Sequence, residues 1–282
     1  MLNKIDAFMG CDSTYQEAKT VIFATPFDST TSFRPGTRFA GKAIRADSFG
    51  VESYSPYQDK DIFDLQIFDC GDLELPLGNP VKSLDMIDDQ AARIIADDKL
   101  PFMIGGEHLV TLGAIRAVAK KYPDLHVIHL DAHTDLRDDY LGEKLSHATV
   151  MRRVCDILGD KRIYQFGIRS GERSEFEFAR AHTVMNRYNL EGFSQCVDAL
   201  IGKPVYFSLD LDVLDPSVFP GTGTPEPGGI SFADLMGAVH MLSRLNIVGC
   251  DVCELSPHYD HSGVSTAVAC KIIREMLIVI QK

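Results

Sequence analysis

Positive charge is in short supply in this 282-residue chain. Lysine and arginine number 28 against 40 aspartates and glutamates, a formal net charge of −12. Such a balance excludes nucleic acid and anionic membrane as partners driven by charge, and it suits a cationic small molecule. Long apolar runs are also missing, so no transmembrane segment is expected. The opening MLNKIDAFMGCD has no apolar stretch of the kind a secretory signal carries, which leads to the expectation of a cytoplasmic protein. The seven cysteines are odd in number and irregularly spaced (Cys11, Cys70, Cys155, Cys196, Cys250, Cys253 and Cys270). That spacing gives no disulfide framework and fits reduced thiols. Cys250 and Cys253 make a CxxC, but GCDVCEL reads as a strand, where residues three apart face opposite ways. Zinc or redox chemistry is therefore not expected there. Internal repeats and low-complexity tracts are absent as well, and no linker-like stretch divides residues 1–282, so one domain is expected.

What is present is an alternation of short apolar runs with amphipathic stretches. Strands are predicted at 20–27, 63–71, 100–106, 125–131, 162–168, 204–212 and 246–255. Helical spacing puts Leu84, Ile87, Ala91, Ile94 and Ile95 on one stripe of 83–99, and Leu109, Leu112, Ile115, Val118 and Ala119 on one stripe of 107–121. Further helices are predicted at 231–245, opened by a capping-box-like Ser231 and Asp234, and over about 265–281. Strand–helix alternation with fully apolar strands argues for a mostly parallel sheet covered on both faces, a three-layer α/β/α arrangement. In such sheets the ligand crevice lies beyond the carboxyl ends of the strands.

Those ends carry the unusual residues. Gly105-Gly106-Glu107-His108 follows one strand, Asp131, His133 and Asp135 follow the next, and Asp210 and Asp212 follow another. Unpaired buried carboxylates are costly, so something positive should sit among them. Alternate side chains on an extended segment share a face, which would bring Asp131, His133 and Asp135 to one side, and Asp210 and Asp212 likewise. Each motif alone reads as a turn or a helix start. Together they exceed what one metal takes from a protein and suit two metals sharing carboxylates, with oxygen donors and imidazoles favouring Mn²⁺ or Mg²⁺. His129 has the parity of Asp131 but reads as a core histidine.

GGEHLVTLG, HLDAHTDLRD, SLDLDVLDPSVFPGTGTPEPGG and DVCELSPHYD resemble the signature segments of the ureohydrolase family, which contains arginases and agmatinases; RPGTRFAGKAIR (34–45) resembles the agmatinase branch. The resemblance runs from about residue 20 to the end. It implies the three-layer fold and two Mn²⁺ per subunit. His108 and Asp135 would hold one ion and His133 and Asp212 the other, with Asp131 and Asp210 bridging. It further implies that Glu254 holds a guanidinium, that His147 shuttles a proton to the leaving amine, that a hydroxide between the metals attacks the guanidinium carbon, and that the chain forms trimers or hexamers. His258 and His261 are lesser rivals of His147. Glu107 departs from the family, where many members have GGDH.

The stretch that carries polar clamp residues in arginases reads LRDDYLGEKLSH here, with Arg137, Glu143 and Leu145 at the clamp positions. Agmatine needs no amino-acid clamp, so its hydrolysis to putrescine and urea is the expected reaction. Asp138, Asp139 and Glu143 are candidates for its distal ammonium. Arg137 keeps a guanidino acid such as 4-guanidinobutyrate open, although pairing with Asp138 and Asp139 is expected to occupy it. A metallophosphoesterase would share DxH and two metals, but its GNH[DE] segment is missing. A non-catalytic metal protein would have no use for His147 and Glu254.

Overall fold

A computed structural model describes residues 7–281. In chain order the strands are β1 (Thr20–Ala24), β2 (Tyr54–Ser55), β3 (Lys60–Asp61), β4 (Ile67–Asp72), β5 (Leu100–Ile104), β6 (His126–Leu130), β7 (Ile163–Ile168), β8 (Val184–Arg187), β9 (Pro204–Asp210) and β10 (Asn246–Cys253). The helices are α1 (Ala40–Asp47), α2 (Pro80–Ala96), α3 (Thr111–Lys121), α4 (Val150–Leu158), α5 (Arg173–His182), α6 (Phe193–Leu200), α7 (Phe232–Met241) and α8 (Val264–Ile280). The strands β2 and β3 pair as a small antiparallel ribbon; the other eight form one sheet in the order β4-β1-β5-β10-β9-β6-β7-β8, every pairing parallel.

Both faces of the sheet are covered, as the apolar strands require. One apolar cluster joins the sheet to α1, α6, α7 and α8; the other joins it to α2, α3, α4 and α5. The stripe predicted on 83–99 is the buried face of α2. Ser231 and Asp234 cap α7 reciprocally. Cys250 and Cys253 lie in opposite clusters, so the two thiols of the CxxC are separated by the sheet. No helix among the described residues is long and apolar enough to cross a membrane.

Three local differences from the sequence expectation matter for function. The segment 107–121 opens with a 3-10 turn over His108–Val110 before α3 begins, and 204–212 leaves the sheet at Asp210 for a 3-10 turn over Leu211–Val213. The strand β6 likewise stops at Leu130. Asp131, His133 and Asp135 therefore converge by a turn and not by strand alternation. The Asp131 carboxylate accepts the His133 N–H at 2.5 Å, and Asp210 accepts the Asp212 N–H at 2.8 Å, the local Asx bonds that bend a chain out of a strand. Asp135 has φ 53°, a left-handed conformation that aspartate tolerates better than most residues.

A candidate dinuclear metal centre

The four central strands β5, β10, β9 and β6 are adjacent, and their carboxyl ends deliver the polar residues to one cavity of about 290 Å³. Close approach of these ends depends on Gly105 and Gly106. A Cβ at Gly105 would lie 2.4 Å from the Cys253 sulfur, and one at Gly106 would lie 2.0 Å from the Phe27 carbonyl oxygen. Any side chain there would push His108 away from its neighbours.

His108 is buried, and its Nδ1 stands 3.1 Å from Asp131, 3.2 Å from Asp135 and 3.3 Å from Asp210. Its other nitrogen is committed. Asp251 accepts the hydroxyls of Tyr206 (2.7 Å) and Ser208 (2.8 Å), so Ser208, having given its proton away, must accept from His108 Nε2 at 2.9 Å. The Nδ1 edge of His108 thus faces three carboxylates. A proton on Nδ1, or a metal cation in its place, satisfies that arrangement. The same crowding shows in the acid strengths. Burial, then the charge of Asp131, lifts the Asp135 carboxyl to about 6, and burial, then Asp212 and Asp131, raises Asp210 well above the usual range. Burial would lower His108, but hydrogen bonds to Asp131, Asp135 and Asp210 outweigh it and hold the ring well above the ordinary histidine value.

A second nest lies alongside. His133 Nδ1 is 3.0 Å from Asp212 and 3.5 Å from Asp131. Asp131 thus faces His108 with one oxygen and His133 with the other. All six predicted ligands are present at the ends of three strands, and their donor set, carboxylate oxygen with two imidazoles, fits two hard divalent cations. His129 is also part of the cluster: it is fully buried, with Nε2 2.8 Å from Asp131. The Gln165 amide donates to His129 Nδ1 (3.1 Å), so Nε2 carries the proton and donates to Asp131. His129 orients a carboxylate and does not face a cation with a free lone pair, a role that its core-like sequence setting did not reveal.

Glu254 and His147 both line the cavity. Glu254 is buried, accepts the His108 N–H at 2.7 Å, and has φ 68°, a strained conformation for glutamate. Such strain costs about 1–3 kcal/mol and persists where the surroundings impose it. Burial, then Glu107 and Asp212, pushes its carboxyl well above the usual range, so a cationic partner would be strongly welcomed. His147 begins a 3-10 turn capped by Ser146. Its ring lies near Tyr140, and its Nε2 is 3.1 Å from the Ser32 hydroxyl. Burial lowers its pKa to about 4. The rivals fall away: His258 packs on Phe39, His261 is exposed, and neither lines the cavity.

The rim differs from the sequence expectation. Arg137 does not pair with Asp138 or Asp139. Its guanidinium reaches Glu172 at 3.0 Å and Glu175 at 3.6 Å and lies over the Tyr140 ring. Asp138 is taken by Arg152 and Arg153, and Asp139 caps the Gly142 N–H. Asp138, Asp139 and Glu143 are outside the cavity lining; Glu172 and Glu175 are in it. The acids next to Arg137 in sequence point away because the 137–146 loop folds back on itself through Tyr140 and Glu143. Arg169 was equally hidden. It donates to the carbonyls of Asp212 (2.7 Å), Val213 (3.1 Å) and Glu226 (3.1 Å), fixing the loop that carries Asp212.

Comparison with known proteins agrees with this geometry. The arginase family model matches residues 18–279. The chain is 47% identical over 276 residues to an agmatinase of Bacillus cereus, covering 96% of this chain and 95% of that one. It is 33% identical over 268 residues to a guanidinobutyrase of Pseudomonas aeruginosa, covering 90% and 84%. The solved agmatine ureohydrolase of Thermoplasma volcanium superposes with a TM-score of 0.90 at 34% identity, over 99% of this chain and 95% of that one. With its parallel sheet, its carboxylate-rich strand ends and a match over nearly its whole length, the chain belongs to the arginase family.

Proposed function

We propose that this protein hydrolyses agmatine to putrescine and urea at a centre of two Mn²⁺ ions. The observation that carries the reading is His108 Nδ1 held within 3.3 Å of three carboxylates, beside a buried Glu254 whose carboxyl is pushed well above its usual range by burial, Glu107 and Asp212. His108 and Asp135 would hold one ion, His133 and Asp212 the other, and Asp131 and Asp210 both. Two such ions would supply a water acidified towards neutral pH, the nucleophile that the guanidinium carbon needs.

The chain's own residues do the rest. Glu254 binds the substrate guanidinium through a charge-assisted, two-point contact that orients its carbon towards the floor. The binding returns the carboxyl of Glu254 to its ionised form. His147, held neutral by burial that lowers its pKa to about 4, would take up the proton that the nucleophilic water loses and pass it to the departing amine nitrogen. Glu172, at the rim and paired with Arg137, receives the distal ammonium. The similarity to agmatinases supports this substrate.

A second reading, hydrolysis of a guanidino acid, is favoured by Arg137, whose guanidinium lines the same cavity and would accept a carboxylate. Urea release by Mn²⁺-loaded protein from agmatine, arginine and 4-guanidinobutyrate decides between them. The proposal expects kcat/KM to be highest for agmatine; preference for the acid overturns the role of Glu172, and no urea from any substrate overturns the reaction.

A further inference from the structure

The loop 28–36 contributes Ser32 to the cavity wall but no group to the chemistry above. Its hydrogen bonds nevertheless run in one direction and end on His147. They begin at Glu107, which is fully buried one residue before His108. One Glu107 oxygen accepts the Thr30 N–H at 2.9 Å and the Thr31 hydroxyl at 3.0 Å, and the other accepts the Thr30 hydroxyl. A hydroxyl that donates to a carboxylate keeps its lone pairs for an incoming donor, and the His147 N–H takes that place at 3.0 Å from the Thr30 oxygen. Two residues further on, the Ser32 hydroxyl meets His147 Nε2 at 3.1 Å. The loop therefore grips His147 at its backbone and at its ring.

Nothing in the histidine's own segment does this. Ser146 spends its hydroxyl on the Ala148 N–H and its own N–H on Thr149, and His147 Nδ1 has no hydrogen-bond partner among the described residues. Without the loop, no hydrogen bond among the described residues fixes the ring, which keeps only its edge contact with Tyr140. The far end of the loop is closed independently, by the Gly36 N–H on Asp28 at 2.8 Å, so the grip is held at two separate anchors. Aspartate at 107 would be one methylene shorter than the glutamate that now spans the gap to Thr30 and Thr31.

We propose that Thr30 and Ser32, anchored by Glu107, are positioning residues that aim His147 at the leaving amine. Thr30 sets its backbone, and Ser32 sets the ring rotation and with it which nitrogen faces the substrate. The inference rests on the role given to His147 above. It makes Glu107 the reason that the metal-ligand segment and the proton donor keep a fixed relation, although 39 residues separate them by number.

Thr30→Val removes the hydroxyl at nearly constant shape, and Thr30→Ser restores it. Glu107 itself is a poor probe, because its backbone leads into the His108 N–H held by Glu254. The assay uses the Mn²⁺-loaded full chain with agmatine, in the wild-type and the His147→Ala backgrounds, with bound manganese measured on every variant. Displacing a catalytic group by a fraction of its reach costs up to about 100-fold. Thr30→Val and Ser32→Ala are expected to lower kcat by about 10- to 100-fold, with KM within about twofold and bound manganese unchanged. Thr30→Ser should keep kcat within about threefold. In the His147→Ala background, the Thr30→Val and Ser32→Ala changes should have no further effect on kcat. An unaltered kcat in Thr30→Val overturns the inference. So does a loss that multiplies with that of His147→Ala, or a loss accompanied by loss of manganese. His147→Ala with wild-type kcat overturns the underlying reading instead.

Discussion

On the floor of the cavity, His108, Asp131 and Asp210 are 1%, 0% and 3% exposed, and they stand on the ends of hydrogen-bonded central strands. On the rim, the Arg137 and Glu172 side chains are 28% and 58% exposed and belong to two loops that the sheet only indirectly supports. The two regions obey different electrostatics. A buried carboxylate has no water to fall back on, so each floor residue is fixed by a neighbour: His129 and His108 on Asp131, the His108 N–H on Glu254, and the Asp212 N–H on Asp210. An exposed ion pair is weak and screened, so the rim pair can yield to a substrate that offers a better match. The floor is thus suited to unchanging chemistry and the rim to choosing what enters.

That contrast can be broken most drastically at the floor. Asp210→Asn replaces a shared carboxylate by a neutral amide. It should abolish manganese retention and lower kcat by more than the roughly 100-fold that outer partners of a metal cost, as read by metal analysis and urea assay. A milder blow is His129→Ala, which leaves every proposed ligand in place but frees the Asp131 carboxylate. Manganese affinity measured by titration should weaken about 10- to 100-fold, and excess Mn²⁺ should restore most of the activity. If His129 were only a packed core residue, stability would suffer and metal affinity would not.

The rim should respond more gently and in a different parameter. Glu172→Gln is expected to raise KM for agmatine about tenfold, leave kcat within about twofold, and lose much of that effect in high salt. A fall in kcat without a change in KM would place Glu172 with the floor. The smallest expected effect is thermal. In metal-free protein the Asp135 carboxyl is held near 6, above its ordinary 3.8, by burial and then by Asp131. Stability from its protonated form is complete below about 4 and is lost as pH rises through about 6. Asp135→Asn should therefore raise the metal-free Tm at pH 8 by a few degrees relative to pH 5, measured by calorimetry.

The floor was also the legible region. Apolar runs ended in GGEH, DAHTD and DLD, and a charge cluster at the mouth of a buried strand has few physical explanations. The edge strand β8 escaped notice because Val184–Arg187 is largely exposed and carries no apolar run. The helices α1, α4, α5 and α6 are short, and no residue stripe was assigned to them. Glu172 and Glu175 lie about 35 residues beyond Arg137, and no local pattern ties them to it. Nearest-neighbour reasoning chose Asp138 and Asp139, which the fold of the 137–146 loop sends to Arg152, Arg153 and the Gly142 N–H. His129 reads as a core histidine and is one, fully buried with both ring nitrogens hydrogen-bonded, but its Gln165 and Asp131 partners are set by the packing of strands and not by its place in a strand.

By itself the sequence determined the parallel sheet, the three strand ends and the residue types gathered there, because periodicity and hydrophobicity are local properties of the chain. It also determined that oxygen and imidazole, and not sulfur, would face the cavity. Only the tertiary structure decided which nitrogen of His108 faces the carboxylates, which charge Arg137 answers to, and that a loop near residue 30 holds His147 in place. Those are matters of direction and of contact between segments far apart in number, and hydrogen-bond geometry exists only once the strands have been brought side by side.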